Sequence, residues 1–390
     1  MRKLVLLVAI ALTAGLIHQA WQRLAPPRPW TGEELAAIRS LSIDALPPVP
    51  PDPSNAVADD PRAAEFGHAL FFETRMSANG FIACATCHQP IRHFTDGLPL
   101  GVAIGVSGRN TPSIVGSQYS PWLYWDGRRD SQWAQALSPI EDPNEHGSDR
   151  LRVLSLVASE PVYRRRYESL FGGPPSLLDE ASVDRAFANV GKAIAAYERL
   201  LMPGRSAFDD YIAHLDGGGD PVDQPFLDRE QLHGLRLFIG EARCTECHNG
   251  PLFTNNEFHN TGLLPPPGKL PDRGRIDGVR EVLANPFNCL GEMSDDDGDG
   301  CDELRFVRTG VELIGATRTP SLRNVTQTAP YQSRGQFETL GEVLEHYNEA
   351  PQAMIGHNEA EPLGLAGWEL ERLLAFLAAL EAPVDVDGRW

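Results

Sequence analysis

Past Ile17 the chain has no apolar run long enough to span a bilayer, which excludes a multi-span membrane protein. Strand-like alternation is scarce, so the sequence predicts a mainly α fold with long loops rather than a β architecture. Basic residues are in short supply: 34 Lys and Arg stand against 53 Asp and Glu, a formal charge of −19. That deficit disfavours nucleic acid as a partner and favours a neutral or basic protein surface. No tryptophan lies between Trp133 and Trp368, and no histidine between His93 and His146. Cysteine is limited to six residues, but four of them fall in two copies of one pattern.

The copies are Cys84-Ala85-Thr86-Cys87-His88 and Cys244-Thr245-Glu246-Cys247-His248. C-x-x-C-H is the attachment signature of c-type haem. Two thiols one helical turn apart add to the two vinyl groups, and the next residue, His, reaches the iron as proximal ligand. A zinc site needs four converging ligands, and a tetrad drawn from both pairs leaves His88 and His248 without a reason. The repeat extends upstream, where Gly67-His68-Ala69-Leu70-Phe71 and Gly234-Leu235-Arg236-Leu237-Phe238 precede the two motifs. The expected architecture is therefore two cytochrome-c-like haem domains, residues 62–220 and 221–390, divided at Gly217-Gly218-Gly219-Asp220-Pro221.

Met1-Arg2-Lys3 followed by an apolar run from Leu4 to Ile17 reads as an export signal. No clean cleavage site follows, so residues 1–20 are expected to be a signal peptide or a retained single anchor. Either places the chain in the periplasm, where haem is attached to C-x-x-C-H. Residues 21–61 form a proline-rich arm with one helix from Thr31 to Leu41, signalled by Thr31 and Glu34 as a capping box. The remaining pair, Cys289 and Cys301, is expected to be a disulfide in an exported protein. The loop between them holds Asp295, Asp297 and Asp299 at the spacing of half an EF-hand. Phe306 stands where the bidentate Glu belongs, so a calcium ion and a solvated acidic turn both remain readings of it.

Three further segments make the pattern specific: Arg109-Asn110-Thr111-Pro112, Trp122-Leu123-Tyr124-Trp125-Asp126-Gly127-Arg128 and Thr319-Pro320-Ser321-Leu322-Arg323-Asn324. With two haem motifs around them, the chain resembles the bacterial di-haem cytochrome c peroxidase and MauG superfamily over roughly residues 62–380. The resemblance implies a peroxide-binding N-terminal haem, an electron-transfer C-terminal haem, and Trp125 as the bridge between them. It implies Gln135, Pro139 and Glu145 as the residues over the peroxide haem, with Glu145 as acid–base group. A carboxylate there can move a proton from the inner to the outer oxygen of bound peroxide. It also implies a calcium ion between the haems, held by Asn110 and the carbonyls of Arg318 and Pro320, and a structural or haem-carboxylate role for His259.

Two departures from the family pattern shape the functional expectation. Where small-donor peroxidases carry a capping His, this chain has Val102, so an open peroxide haem is expected; His93 is the residue that could cap it instead. The seventeenth residue after Pro320, where the family places an axial Met or Tyr, is Phe337, which cannot ligate iron. Met354 and His346 are the nearest alternatives. Together with the segment around Cys289 and Cys301 and with His346-Tyr347-Asn348, this resembles the MbnH-like branch. That implies hydrogen peroxide as oxidant, a high-valent state shared by two haems, and tryptophan of an MbnP-like protein partner as target. The other reading is a cytochrome c peroxidase fed by a small cytochrome or cupredoxin; a third is a plain electron carrier. An exit route from the second haem is expected directly from its edge or through Tyr347 or Trp368.

Overall fold

The protein is described from a computed structural model covering residue 23 and residues 25–296 and 300–385. The expected export segment, Asp297 and Asp299 lie outside the described residues. The fold is mainly helical, as expected. Among the described residues its sheet consists of two short antiparallel pairs, Met202–Pro203 with Val384–Asp385 and Phe258–His259 with Thr317–Arg318. Among the described residues no helix is long and apolar enough to cross a membrane.

Helices form where the sequence supplies both an apolar face and a start signal. Pro61–Phe71 begins with proline in its first turn, and the Asp60 carboxylate accepts from the Arg62 N–H. It buries Phe66, Leu70 and Phe71 against the helix Glu180–Glu198, whose Phe187, Val190 and Ile194 are inaccessible to solvent. The helix Gln132–Glu141 closes the other side of this core. In the second half, Arg229–Ile239 crosses Gly367–Ala378 and buries Leu235 and Phe238 against Leu373 and Phe376.

The two crossings share one device. A Cβ on Gly67 would fall 1.8 Å from the Ala193 carbonyl oxygen, and one on Gly234 would fall 1.9 Å from that of Arg372. Both obstacles are backbone and cannot swing aside. Gly67→Ala and Gly234→Ala are each expected to cost about 3 kcal/mol, measured as a lower urea midpoint of the holoprotein. The repeated Gly-x-x-x-Phe of the sequence is therefore a repeated helix crossing.

The proline-rich arm does not hang free. Its helix, Gly32–Ser40, carries the expected capping box, with Glu34 N–H donating to Thr31 Oγ1 and Thr31 N–H to Glu34 Oε2. Ile38 and Leu41 enter the second core, while further along the Ser54 hydroxyl accepts from Trp133 Nε1 in the first half at 2.8 Å. Arg323 fixes the arm: Nη2 donates to the Leu41 carbonyl (2.9 Å), and Nη1 lies 2.5 Å from Asp209, with both side chains buried. Burial alone would raise the Asp209 pKa, but Arg323 and the N–H groups of Ile43 and Ser206 hold it below the ordinary value. Its contribution to stability is thus complete above the usual carboxylate range and is lost as pH falls below it. Asp209→Asn, which leaves the buried guanidinium unpaired, is expected to cost about 3–5 kcal/mol at neutral pH, read from thermal or urea unfolding.

The cores change over between Leu201 and Phe208, ahead of the glycine run at residues 217–219 where the sequence suggested a division. The helix Ala207–Asp216 packs Phe208 and Tyr211 into the second core. Phe287 and Met293, from the second half of the chain, pack into the first. The glycine run lies in the loop that follows this helix.

Candidate active site

Each C-x-x-C-H motif folds as one tight turn. Cys84–Cys87 is a single helical turn, closed at its start by Thr86 Oγ1 accepting from Ala83 N–H and at its end by His88 N–H donating to the Cys84 carbonyl (2.9 Å each). Its counterpart ends the same way, with His248 N–H donating to Cys244 O at 2.8 Å. Beyond each His the chain doubles back through left-handed backbone, at His93 and Phe94 in the first copy and Phe253 in the second. The reversal brings the Phe94 carbonyl 3.1 Å from His88 Nδ1 and the Phe253 carbonyl 2.9 Å from His248 Nδ1. A carbonyl only accepts, so both rings carry their proton on Nδ1 and keep Nε2 for a metal. A Thr-Pro-Ser segment backs each reversal: Ser113 Oγ donates to His93 O and Ser321 Oγ to Leu252 O, both at 2.7 Å.

Burial holds both rings neutral, lowering His248 to about 4 and His88 in the same direction. Burial also pushes the Cys87 and Cys244 thiols up to about 12. Two neutral imidazoles with free Nε2, each after a pair of thiols, fit two covalently attached haems. A buried Arg318 Nε, unpartnered among the described residues and on a side chain lining the cavities beside both histidines, fits a haem carboxylate.

One cavity gathers His88, Trp125, Gln135, Pro139 and Glu145, so the expected peroxide-site residues are brought together. Gln135 and Pro139 lie on the helix Gln132–Glu141, and Glu145 on the loop that follows it. Burial, helped by the charge of Asp142 and opposed by Arg128, raises the Glu145 carboxyl to about 7. Near neutrality it can therefore hold or release a proton. Sequence reasoning passed over two members of this cavity. Tyr124, in left-handed backbone, carries the Arg128 guanidinium over its ring at 3.5 Å, and burial pushes its hydroxyl up to about 12. Glu198, at the end of its helix, is raised to about 8 by burial. Neither the strained backbone of a tyrosine nor a carboxylate inside an apolar helix run is announced by composition.

Val102 forms a small bridge with Val106 and is 49 % exposed, facing solvent while its neighbours Gly101 and Ala103 line the cavity. His93 lines a different cavity, with Trp125 and His248, and its buried Nδ1 has no hydrogen-bond partner among the described residues. Trp125 lines both cavities. It is buried and held at two points: its Nε1 donates to the Asn110 carbonyl (3.0 Å), and its own carbonyl accepts from Arg318 N–H (2.8 Å). Asp126, next in sequence, is buried between Arg109 and Arg128, and Arg109 reaches on to Asp272 at 2.8 Å.

On the His248 side none of Phe337, His346 and Met354 lines a cavity that contains His248. Phe337 pairs with Tyr331 through an isolated bridge and lays its ring 5.2 Å from His346; it is not among the residues lining the two cavities that contain His248. His346 is occupied with the Thr261 carbonyl (2.7 Å), and Met354 is 60 % exposed. Tyr347 lines both of those cavities, its hydroxyl pushed up to about 12 by burial. His259 shares one of them and sits 2.7 Å from Glu359. Trp368 is packed under Arg372 at the start of the last helix.

Asn110, Arg318 and Pro320 line the same cavity. Asn110 spends its Nδ2 on the Leu98 carbonyl (2.8 Å), leaving Oδ1 as an oxygen donor of the kind calcium takes. Cys289 and Cys301 are bonded to one another, as expected. The acidic loop between them is less available to a cation than its sequence suggests. Asp295 is engaged by the fully buried Lys192 Nζ at 2.7 Å and by Ala56 N–H at 2.8 Å, so an ammonium already occupies that carboxylate.

Comparison with known proteins agrees with this geometry. The family described as di-haem cytochrome c peroxidase matches residues 61–216. The chain is 31% identical over 391 residues to the methylamine utilization protein MauG of Paracoccus denitrificans, covering 90% of this chain and 91% of that one. It is 31% identical over 287 residues to the cytochrome c551 peroxidase of Nitrosomonas europaea, covering 72% and 71%. A crystal structure of a MauG-like protein associated with microbial copper homeostasis superposes with a TM-score of 0.64 at 27% identity, covering 86% of this chain and 95% of that one. Two C-x-x-C-H turns with matched imidazole geometry, on a chain similar over most of its length to these proteins, place it in the di-haem cytochrome c peroxidase and MauG family of haem-dependent oxidoreductases.

Proposed function

We propose that the protein is a periplasmic enzyme of the MbnH-like kind, which takes two oxidising equivalents from hydrogen peroxide without prior reduction and uses them on tryptophan of a protein partner. The observation that carries this is the cavity at His88. It contains an acid–base carboxylate, Glu145, poised near neutrality, while Val102 faces solvent and His93 lines another cavity. Haem, when bound, supplies the iron that accepts peroxide and stores the oxidising equivalents. Glu145 takes the proton from the inner peroxide oxygen and returns it to the outer one. Gln135 and Pro139 shape the wall on which the peroxide rests, and Trp125, shared by both cavities, carries electrons between the two centres.

The same reading assigns one calcium ion to Asn110 Oδ1 and the carbonyls of Arg318 and Pro320. It prefers a protein substrate to a small donor because Phe337 cannot ligate iron and Met354, the candidate ligand for a high-potential second centre, does not line the cavities at His248. The likeness to a protein associated with copper homeostasis supports a partner of the MbnP type. Mass spectrometry of such a partner after incubation with enzyme and peroxide tests the choice. The expected result is a mass change confined to tryptophan; rapid turnover with reduced small cytochrome and an unmodified partner would return the chain to the small-donor peroxidases.

A further inference from the structure

Trp125 differs from the other described tryptophans in what faces its ring. Arg236 lies 4.1 Å from the ring centre of Trp30, Arg275 3.8 Å from that of Trp122, Lys192 5.4 Å from that of Trp133 and Arg372 4.5 Å from that of Trp368. Tyr124 has Arg128 at 3.5 Å. Among the described residues, no cation stands over Trp125. Its Nε1 instead donates to the Asn110 carbonyl, whose negative end faces the indole.

A cation over an aromatic face is attracted by the electron-rich ring. Removing an electron turns that attraction into repulsion, most strongly where water is excluded. A ring under a cation is therefore harder to oxidise, and a ring beside a carbonyl oxygen is easier. We propose that Arg275 is a guard that protects Trp122 from the protein's own oxidant. The cations over Trp30, Trp133 and Trp368 are each paired with a carboxylate, Glu34, Asp295 and Glu230 respectively, so Arg275 is the one singled out. It is buried, makes no ion pair among the described residues, and donates to the Gly127 carbonyl at 2.6 Å, which holds it over Trp122, the tryptophan nearest Trp125 in sequence. The inference rests on the reading that the enzyme is oxidised before its partner binds.

Without a partner, the unguarded reaction is balanced. An indole C–H and hydrogen peroxide give hydroxyindole and water; the indole loses two electrons, the O–O bond breaks, one C–O bond forms, and the residue gains one oxygen. The test compares the wild-type holoprotein with Arg275→Gln, Arg275→Lys and Arg372→Gln, each treated with excess peroxide and mapped by peptide mass spectrometry. Parallel maps use photogenerated ruthenium(III) tris-bipyridine, an oxidant that needs no reaction at the haems. Arg275→Gln is expected to raise oxygen gain at Trp122 at least about tenfold over wild type. Arg275→Lys should restore most of the protection, which separates charge from packing, and Arg372→Gln, which removes a guanidinium already paired with Glu230 and leaves Arg23 5.8 Å from the Trp368 ring centre, should leave Trp368 unchanged. Optical changes with peroxide and an unmoved map in Arg275→Gln would overturn the guard. No optical change with peroxide, but a displaced map under ruthenium, would overturn the functional reading and leave the guard standing.

Discussion

Replacing Glu145 by glutamine is expected to slow the reaction of the diferric protein with hydrogen peroxide by about 10²–10⁴-fold, the usual reach of a positioned acid–base group. Glutamine keeps the shape of the side chain but can neither take nor return the proton. The pH profile supplies the sign. Burial and Asp142 hold the carboxyl neutral up to about 7, against the pull of Arg128. The ionised form is the one that accepts a proton from peroxide, so the wild-type rate should rise with pH through about 7 and level off above it. The variant should show no such step. Stopped-flow traces at the Soret band across pH 5–9 measure both effects, and a wild-type step retained in Glu145→Gln would assign the titration to another group, with Glu198 the next to test.

Trp125→Phe is expected to separate the two halves of the reaction. Peroxide should still react at the first centre within a few-fold of the wild-type rate, because His88, Gln135 and Glu145 are untouched. Partner oxidation should fall roughly a hundredfold, equivalent to about 2.7 kcal/mol in barrier, because phenylalanine is harder to oxidise and loses the hydrogen bond from Nε1 to Asn110. The backbone bond from Arg318 N–H to the residue 125 carbonyl survives the change, so the loop should keep its course. Paired measurements of peroxide consumption and partner mass distinguish this outcome from a general loss of fold.

What was legible in the sequence was what contiguous residues encode. The C-x-x-C-H turns and the Thr31–Glu34 capping box depend on short, fixed spacing, and each is found. The residues over His88 were reachable because Gln135 and Pro139 share one helix, which preserves spacing in space as well as in sequence. On the other side the counted position, Phe337, does not line the cavities at His248. Between Pro320 and Phe337 the chain runs through a 3₁₀ turn, left-handed backbone at Asn324 and Gln332, and an isolated bridge, so a fixed offset no longer fixes a direction. His93 owes its place to a similar irregularity. Its left-handed backbone belongs to the reversal that brings the Phe94 carbonyl to His88, and its side chain is carried into the cavity with His248. No glycine announces that reversal. Asp295 shows the limit of composition: its loop reads as a cation site until Lys192, a hundred residues earlier in the chain, is seen to fill the role.

The most direct measurement is an optical and EPR titration of the diferric protein with one equivalent of hydrogen peroxide, with no reductant present. A rapid and long-lived change amounting to two oxidising equivalents and involving both haems is the predicted result. A spectrum that stays unchanged until the second haem is reduced would contradict it, and would mean that the iron at His88 is capped despite the outward-facing Val102 and the position of His93.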